Sequence, residues 1–264
     1  MIKKIMAAIV TICAAIIFGI SIFGIKEALS LTTAPRDKYI AKSTTKTASV
    51  NPSKFLSNTY NVLVMGDSLA KGTGDENGKG FGGYFSDYLK SKKNKNVKTD
   101  NIAINGDVSN GLLKVVENKD NNDLIKNANI IFISIGGNEI KGFRSEGSLT
   151  SMEVKSVENN YLNNIRNIFK FIRNKNSKCI VIFIGLYNPF GTEIANDKVQ
   201  LLNSWNYDTQ NIVTSDSNSV FVPTYDIFQY NTKKYLTIDN FHPNSSGYKA
   251  IAERIEQILE NKVN

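Results

Sequence analysis

Five short runs between residue 60 and the C-terminal region predict strands; four are apolar and the second is mixed, and each is bounded by glycine, proline or polar residues. The runs are too short for helices and are rich in β-branched and aromatic residues, a pattern typical of buried strands. The predicted strands cover residues 62–65, 97–104, 130–135, 179–184 and 220–222.

The stretches between these runs carry apolar residues at helical spacing instead. The clearest stripe predicts a helix over residues 152–174, and others predict helices over residues 194–213 and from residue 244 or 245 onward. Alternation of this kind is typical of an α/β fold with three layers, in which a mostly parallel five-stranded sheet lies between two layers of helices.

A different pattern precedes the alternation, because residues 5–25 form an uncharged, mostly apolar run that follows two lysines. The run is long enough to cross a bilayer core. It is either a cleaved secretory signal, with residues 28–30 as the cleavage site, or an uncleaved signal anchor, and its length favours the anchor. Lysines at the start keep the amino terminus in the cytoplasm. We therefore expect a single-pass membrane protein with an extracytoplasmic domain, or a secreted one if the segment is cleaved.

Residues 31–57 are rich in Thr, Ser, Lys and Ala and show no sustained periodicity. Such a composition is typical of a flexible tether. The predicted organisation is an anchor at residues 1–30, a tether at residues 31–57 and one globular domain at residues 58–264.

The formal charge of +8 lies mostly outside this domain. Residues 1–57 contain eight Lys/Arg and two Asp/Glu, so the other 24 Lys/Arg and 22 Asp/Glu leave the domain at +2. The sequence of the domain also shows no stripe of Lys and Arg with interleaved aromatic residues. The sequence therefore predicts membrane attachment through the N-terminal helix and no nucleic-acid partner.

Metal and nucleotide cofactors are not expected. The chain has one histidine and two cysteines, Cys13 and Cys179, which do not form a metal-binding spacing. The glycine-rich stretch at residues 72–83 lacks the Ser/Thr of a P-loop, so we predict a mobile loop that borders the functional site.

Candidate chemistry begins at the end of the first predicted strand, where Gly-Asp-Ser-Leu occupies residues 66–69. Ser68 lies where open α/β sheets present their functional residues, and it is a candidate nucleophile. A serine after a strand is also a common helix N-cap, and this alternative stays open at the sequence level.

The only histidine, His242, is a candidate base for this serine. Asp239 lies three residues earlier in a turn ended by proline, where its carboxylate can orient the imidazole. A lone histidine is more often structural, but the aspartate beside it favours a Ser-His-Asp set.

Two further strand ends offer donors for a developing oxyanion. The second predicted strand is followed by Gly106, and the third by Gly-Gly-Asn, which ends at Asn138. Each glycine alone is typical of a turn, but together with Ser68 and His242 they form an ordered set.

These residues resemble the four signature blocks of the SGNH, or GDSL, hydrolase family. Ser68 matches the nucleophile block, Gly106 the glycine block, Asn138 the Gly-x-Asn block, and Asp239 with His242 the last block. Residues 184–190 and 241–244 are also similar to the YpmR-like bacterial branch. Glu139 stands where the family usually has aspartate, which makes the hydrogen bonding around Asn138 a point of difference.

The resemblance implies a flavodoxin-like fold and a serine hydrolase of carboxylic esters. Ser68, His242 and Asp239 would form the catalytic triad, and the oxyanion hole would consist of the N–H groups of Ser68 and Gly106 and the amide of Asn138. The substrate would be a small-molecule, polysaccharide or lipid ester. A non-catalytic surface binding module and an acyltransferase stay open as alternatives. An α/β-hydrolase is disfavoured, since its elbow needs glycine at the position of Ala70.

Overall fold

The computed structural model describes residues 59–141, 151–192 and 195–263. The predicted anchor and tether lie outside these residues and stay predictions. Over the described ranges, no helix is long and apolar enough to span a bilayer.

Four of the strands follow the predicted runs closely, whereas the second ends at Asn101, so the predicted strand at residues 97–104 was too long at its end. The strands of the described residues are β1 (Thr59–Gly66), β2 (Asn96–Asn101), β3 (Ile130–Ser134), β4 (Ile180–Ile184) and β5 (Ser219–Val222). The helices are α1 (Ser68–Lys71), α2 (Gly80–Lys92), α3 (Ser109–Glu117), α4 (Asn122–Asn127), α5 (Gly137–Lys141), α6 (Ser151–Lys175), α7 (Asn196–Ser215), α8 (Tyr225–Gln229), α9 (Thr232–Tyr235) and α10 (Ser245–Val263), with a 3₁₀ turn at Lys119–Asn121.

All five strands form one parallel sheet in the order β2-β1-β3-β4-β5. The prediction of a five-stranded α/β fold is confirmed. In this order β2 lies on one side of β1 and β3 on the other, so the strand order reverses between β1 and β3. A crevice forms at the carboxyl ends of these two strands. The residues that follow these two strands therefore meet at one place.

Strand β1 contributes to the cores on both sides of the sheet, because alternate residues of a strand point to opposite faces. Tyr60, Val62 and Val64 pack into the core under α2 and α10. Leu63 and Met65 pack into the other core, which lies under α3, α6 and α7. The sheet therefore has an apolar core on each side, which fixes the direction of the strand end.

The predicted loop at residues 72–83 is shorter than expected, because α2 already begins at Gly80. The carboxylate of Asp75 accepts hydrogen bonds from the N–H groups of Lys79 at 2.8 Å and Gly80 at 2.7 Å, which fixes the start of the helix. Gly82 then permits close packing on the sheet, since a Cβ there would lie 2.7 Å from Cγ2 of Val64. The prediction of a loop was wrong for residues 80–83, which are helical.

Cys179 is buried directly before β4. Arg173 donates a hydrogen bond to its carbonyl oxygen at 2.9 Å and also binds Asp216 through two nitrogen atoms. This arginine joins α6 to the turn before β5, at the end of the sheet opposite the crevice.

Candidate active site

Strand β1 ends at a glycine that no other residue can replace without strain. Gly66 has a φ of +132°, and a Cβ at this position would lie 1.9 Å from the carbonyl oxygen of Ser134. This close approach lets the N–H of Asp67 donate to the same oxygen at 2.9 Å. As a result, Ser68 begins α1 directly at the carboxyl ends of β1 and β3.

Asp67, and not Ser68, is the N-cap of α1. Its Oδ1 accepts hydrogen bonds from the N–H of Leu69 at 3.0 Å and from Oγ of Ser134 at 3.3 Å. Complete burial raises the pKa of the Asp67 carboxyl to about 7, despite these hydrogen bonds, because the charged form loses its hydration. The capping alternative for Ser68 is therefore wrong, and its hydroxyl is used elsewhere.

The hydroxyl of Ser68 lies beside the only imidazole of the chain. Nε2 of His242 is 2.9 Å from Oγ of Ser68, and Nδ1 of the same ring is 2.6 Å from Oδ2 of Asp239. A proton on Nδ1 would be donated to the carboxylate, which leaves Nε2 as an acceptor for the hydroxyl proton. The structure thus connects the three predicted residues by two hydrogen bonds.

The turn that carries His242 is held by the other oxygen of Asp239. Oδ1 accepts hydrogen bonds from the N–H groups of Phe241 at 2.8 Å and His242 at 2.9 Å, and from the hydroxyl of Thr237 at 2.6 Å. Partial burial alone would raise the pKa of the Asp239 carboxyl, but these hydrogen bonds outweigh it and hold the pKa far below its usual range. The carboxylate therefore stays ionised at neutral pH.

Gly106, in a loop, and Asn138, near the start of helix α5, lie on neighbouring segments that are joined by one hydrogen bond. Gly106 has a φ of +79°, in a tight turn closed by the N–H of Asp107, which donates to the carbonyl of Ile104 at 3.2 Å. Nδ2 of Asn138 donates to the carbonyl of Asp107 at 2.8 Å. An amide nitrogen carries two N–H groups, so Asn138 has a second donor for another acceptor.

Glu139 reaches across to helix α3. Its Oε1 accepts a hydrogen bond of 2.5 Å from the N–H of Ser109, the first residue of α3. Its Oε2 is buried and accepts no hydrogen bond from the described residues. Burial raises the pKa of this carboxyl above its usual value. Glu139 therefore fixes the loop of Gly106 and Asp107 relative to Asn138 on α5.

Asp75 is a positioning residue that the sequence reasoning missed. Its Oδ1 accepts hydrogen bonds from the hydroxyl of Ser245 at 2.6 Å and from the hydroxyl of Tyr84 at 3.1 Å. Ser245 begins α10, three residues after His242. The acidic residue in a glycine-rich loop just after Ser68 was the available signal, but nothing in the sequence indicates its distant partner.

Backbone packing also joins the two halves of the site. Gly74 has a φ of +92°, and a Cβ there would lie 2.6 Å from the carbonyl oxygen of Pro243 and 3.1 Å from Cβ of His242. In addition, the hydroxyl of Tyr187 donates to the carbonyl of Phe241 at 2.5 Å. The His242 turn is thus held from both sides.

This combination of fold and site defines a class of hydrolase, and comparisons with known proteins identify the family. Residues 62–255 match the model of the GDSL-like Lipase/Acylhydrolase family. The chain belongs to this family, which places it among the hydrolases of carboxylic esters.

Individual relatives agree with this assignment. The chain is 30% identical to the Bacillus subtilis protein YpmR over 208 residues, which cover 76% of this chain and 82% of that protein. It is 25% identical to the spore germination lipase LipC of Bacillus licheniformis, over 75% of this chain and 95% of that protein. A crystal structure of the lipase Lip_vut3 from a goat rumen metagenome shares the fold, with a TM-score of 0.68 and 22% identity over 75% of this chain and 97% of the lipase.

Proposed function

We propose that this chain is an extracytoplasmic serine esterase in which Ser68, His242 and Asp239 form the catalytic triad. The observation that carries the proposal is the pair of hydrogen bonds of 2.9 Å and 2.6 Å on the two nitrogens of His242. A serine hydroxyl becomes a nucleophile when an oriented base accepts its proton.

In the proposed reaction, Oγ of Ser68 attacks the ester carbonyl while Nε2 of His242 accepts the hydroxyl proton. The resulting imidazolium is stabilised by the carboxylate of Asp239 and then gives the proton to the departing alcohol. Water, activated by the same imidazole, releases the acid from Ser68.

The oxyanion would be stabilised by the N–H groups of Ser68 and Gly106 and by the side-chain amide of Asn138. Two observations support this assignment. The positive φ of Gly106 is accessible to glycine at little cost. The bond from Asn138 to the carbonyl of Asp107 fixes the amide beside the Gly106 turn, and fixed donors stabilise developing charge better than mobile ones.

The extracytoplasmic location rests on the apolar run of residues 5–25 and the two lysines before it. Protease added to intact, wall-stripped cells should release the domain near residues 31–57. Full protection of the domain from protease would contradict this part of the proposal.

Labelling with a fluorophosphonate tests the triad, because the reagent reacts with activated serine hydroxyls. Intact-mass measurement and peptide mapping should show one label, on Ser68. The same preparation should hydrolyse p-nitrophenyl acetate. Ser68→Ala should lose both signals, whereas Ser215→Ala, an exposed serine at the end of α7, should keep both. A wild-type domain that is neither labelled nor active would contradict the proposed function.

A further inference from the structure

A narrow cavity opens beside Ser68, between the segment after β4 and helix α7, and encloses about 90 Å³. Most of its wall is apolar. The apolar wall includes Ile140, Leu186, Pro189, Phe190, Leu201 and Leu202. Attack by Ser68 and proton transfer by His242 do not need an apolar wall. The apolar wall is therefore suited to an apolar part of the substrate.

Six polar or partly polar side chains line the cavity, and two of them lie away from the reacting carbonyl: Lys198 is exposed, and the hydroxyl of Tyr187 donates to the carbonyl of Phe241. Ser68 and Asn138 line it as the nucleophile and an oxyanion donor. Asp67 and Ser134 line it as well, but their side chains share a hydrogen bond of 3.3 Å. An apolar chain that enters would therefore displace water without leaving buried polar groups unpaired.

The side chain of Asn206 joins the two walls of the cavity by hydrogen bonds. Oδ1 of Asn206 on α7 accepts a hydrogen bond of 2.8 Å from the N–H of Leu186, and Nδ2 of Asn206 donates one of 2.8 Å to the carbonyl of the same residue. Leu202 lies one turn before Asn206 on α7 and is buried. The separation of Leu186 and Leu202 is therefore fixed, and the cavity is preformed rather than a gap between mobile parts.

The lining residues indicate which part of an ester occupies the cavity. The departing alcohol takes its proton from His242, so it must lie next to that ring. His242 does not line the cavity, whereas Ser68 and Asn138, which face the carbonyl group, do. The cavity thus continues from the acyl side of the reacting carbonyl.

We propose that this cavity, the acyl slot, binds the apolar acyl chain of the substrate and selects acyl groups of at least four carbons over acetyl. The proposal rests on the proposed function of Ser68. One water-sized group needs roughly 10–15 Å³ of cavity space, so the 90 Å³ of the slot hold the three carbons beyond the carbonyl of a butyryl group with room for more. Acetyl has only one such carbon.

An acyl-length series with a constant alcohol tests the proposal directly. On p-nitrophenyl esters from acetate to decanoate, kcat/KM should rise by roughly fourfold for each buried methylene, so that butyrate exceeds acetate by about tenfold or more. Hydrolysis of acetate with no gain from longer chains would overturn the acyl slot while leaving the proposed function in place. Failure to hydrolyse any ester would contradict both.

A series with a constant acyl group tests the orientation. Alkyl acetates from ethyl to octyl should differ less in kcat/KM than the acyl series does, because the alcohol lies outside the slot. A larger gain in the alcohol series would assign the cavity to the alcohol and overturn the proposal.

Substitutions on α7 test whether the residues of the acyl slot cause the preference for longer acyl groups. Leu202→Phe narrows the slot and should lower the ratio of kcat/KM for butyrate over acetate at least fivefold, and Leu201→Phe, at a half-buried position, provides a second narrowing variant if the first does not fold. Ile212→Phe places the same side chain at a half-buried position of α7 that does not line the slot, and it should keep the wild-type ratio. Because both substrates are measured on one preparation, the ratio does not depend on the folded fraction. A wild-type ratio in both slot variants would overturn the proposal.

Discussion

The hydroxyl of Ser245 donates a hydrogen bond of 2.6 Å to Oδ1 of Asp75. The contact joins the loop after the Ser68 helix to the start of α10, which follows the turn of His242. A second bond reinforces it, since the hydroxyl of Tyr248 donates to a carbonyl of the same loop at 2.8 Å. These contacts, together with the bond from the N–H of Ser245 to Glu76, help to hold the nucleophile and the base at hydrogen-bonding distance.

Asp75→Ala should lower kcat/KM at least roughly tenfold, because small displacements of reacting groups are costly. Asp75→Asn keeps acceptor oxygen for Ser245 and should recover part of the loss. Asp87→Ala removes a half-buried carboxylate that forms an ion pair with Lys79 and serves as the control. Wild-type kcat/KM in Asp75→Ala would show that the contact does not position the site.

Gly74→Ala and Gly78→Ala form a matched pair for the packing against His242. Both positions have positive φ, at +92° and +65°, so both substitutions strain the backbone. Only at Gly74 would the new Cβ meet other atoms, those of the His242 turn, since nothing lies within 4 Å at Gly78. We expect Gly74→Ala to lose activity tenfold or more relative to Gly78→Ala in steady-state kinetics. Equal losses would mean that strain alone accounts for the effect.

Glu139 should matter for catalysis through the loop of Gly106, although it does not touch the reacting groups. Glu139→Ala removes the bond to the N–H of Ser109, and we expect kcat to fall with little change in KM. Glu139→Gln keeps an acceptor oxygen and should retain most activity. The loss in Glu139→Ala should stay below the roughly hundredfold expected for removing an oxyanion donor in Asn138→Ala. Unchanged kcat in Glu139→Ala would contradict this role.

The buried carboxyl of Asp67 predicts a specific dependence of stability on pH. Its pKa is about 7 in the folded state against 3.8 ordinarily, so between these values the folded state binds the proton more tightly than the unfolded state. The free energy of unfolding should therefore fall as pH rises from about 4 to about 7, by up to a few kcal/mol at roughly 1.4 kcal/mol per pKa unit.

Urea unfolding across this pH range, on wild type and on Asp67→Asn, measures the contribution. The asparagine cannot ionise, so the free energy of unfolding of Asp67→Asn should increase relative to that of wild type as pH rises to about 7. Above that pH the difference in unfolding free energy should stay constant. A difference that does not change with pH would show that Asp67 is ionised throughout.

Much of the fold was predictable because its signals are local. The four apolar runs became β1, β3, β4 and β5, and the stripe at residues 152–174 became helix α6, Ser151–Lys175. The blocks of Ser68 and Asn138 were readable for the same reason, since each follows closely on its strand. Local patterns carry this information because side-chain periodicity follows from backbone geometry.

What the sequence did not indicate depends on contacts between distant residues. Glycine content suggested a loop through residue 83, but a carboxylate from within the loop starts helix α2 at Gly80. Likewise, Asp75 and Ser245 form a hydrogen bond although they are 170 residues apart. The hydrogen bonds between Asn206 and Leu186 depend on how α7 packs against the segment after β4. No local pattern distinguishes these residues from ordinary polar positions.

The central claim is that His242 is the general base for Ser68, and the chain offers a direct test because it contains one histidine. NMR of the imidazole reports its protonation without ambiguity, and kcat/KM against pH reports the base of the free enzyme. The comparison also separates His242 from Asp67, which titrates near neutral pH but has no imidazole signal.

We predict that kcat/KM rises with pH in step with the loss of the imidazole proton, with the same midpoint in both measurements. Asp239→Asn should lower the maximal rate, because the imidazolium loses the carboxylate that stabilises it. An imidazole that titrates clearly while kcat/KM stays constant over the same pH range would contradict the proposed triad.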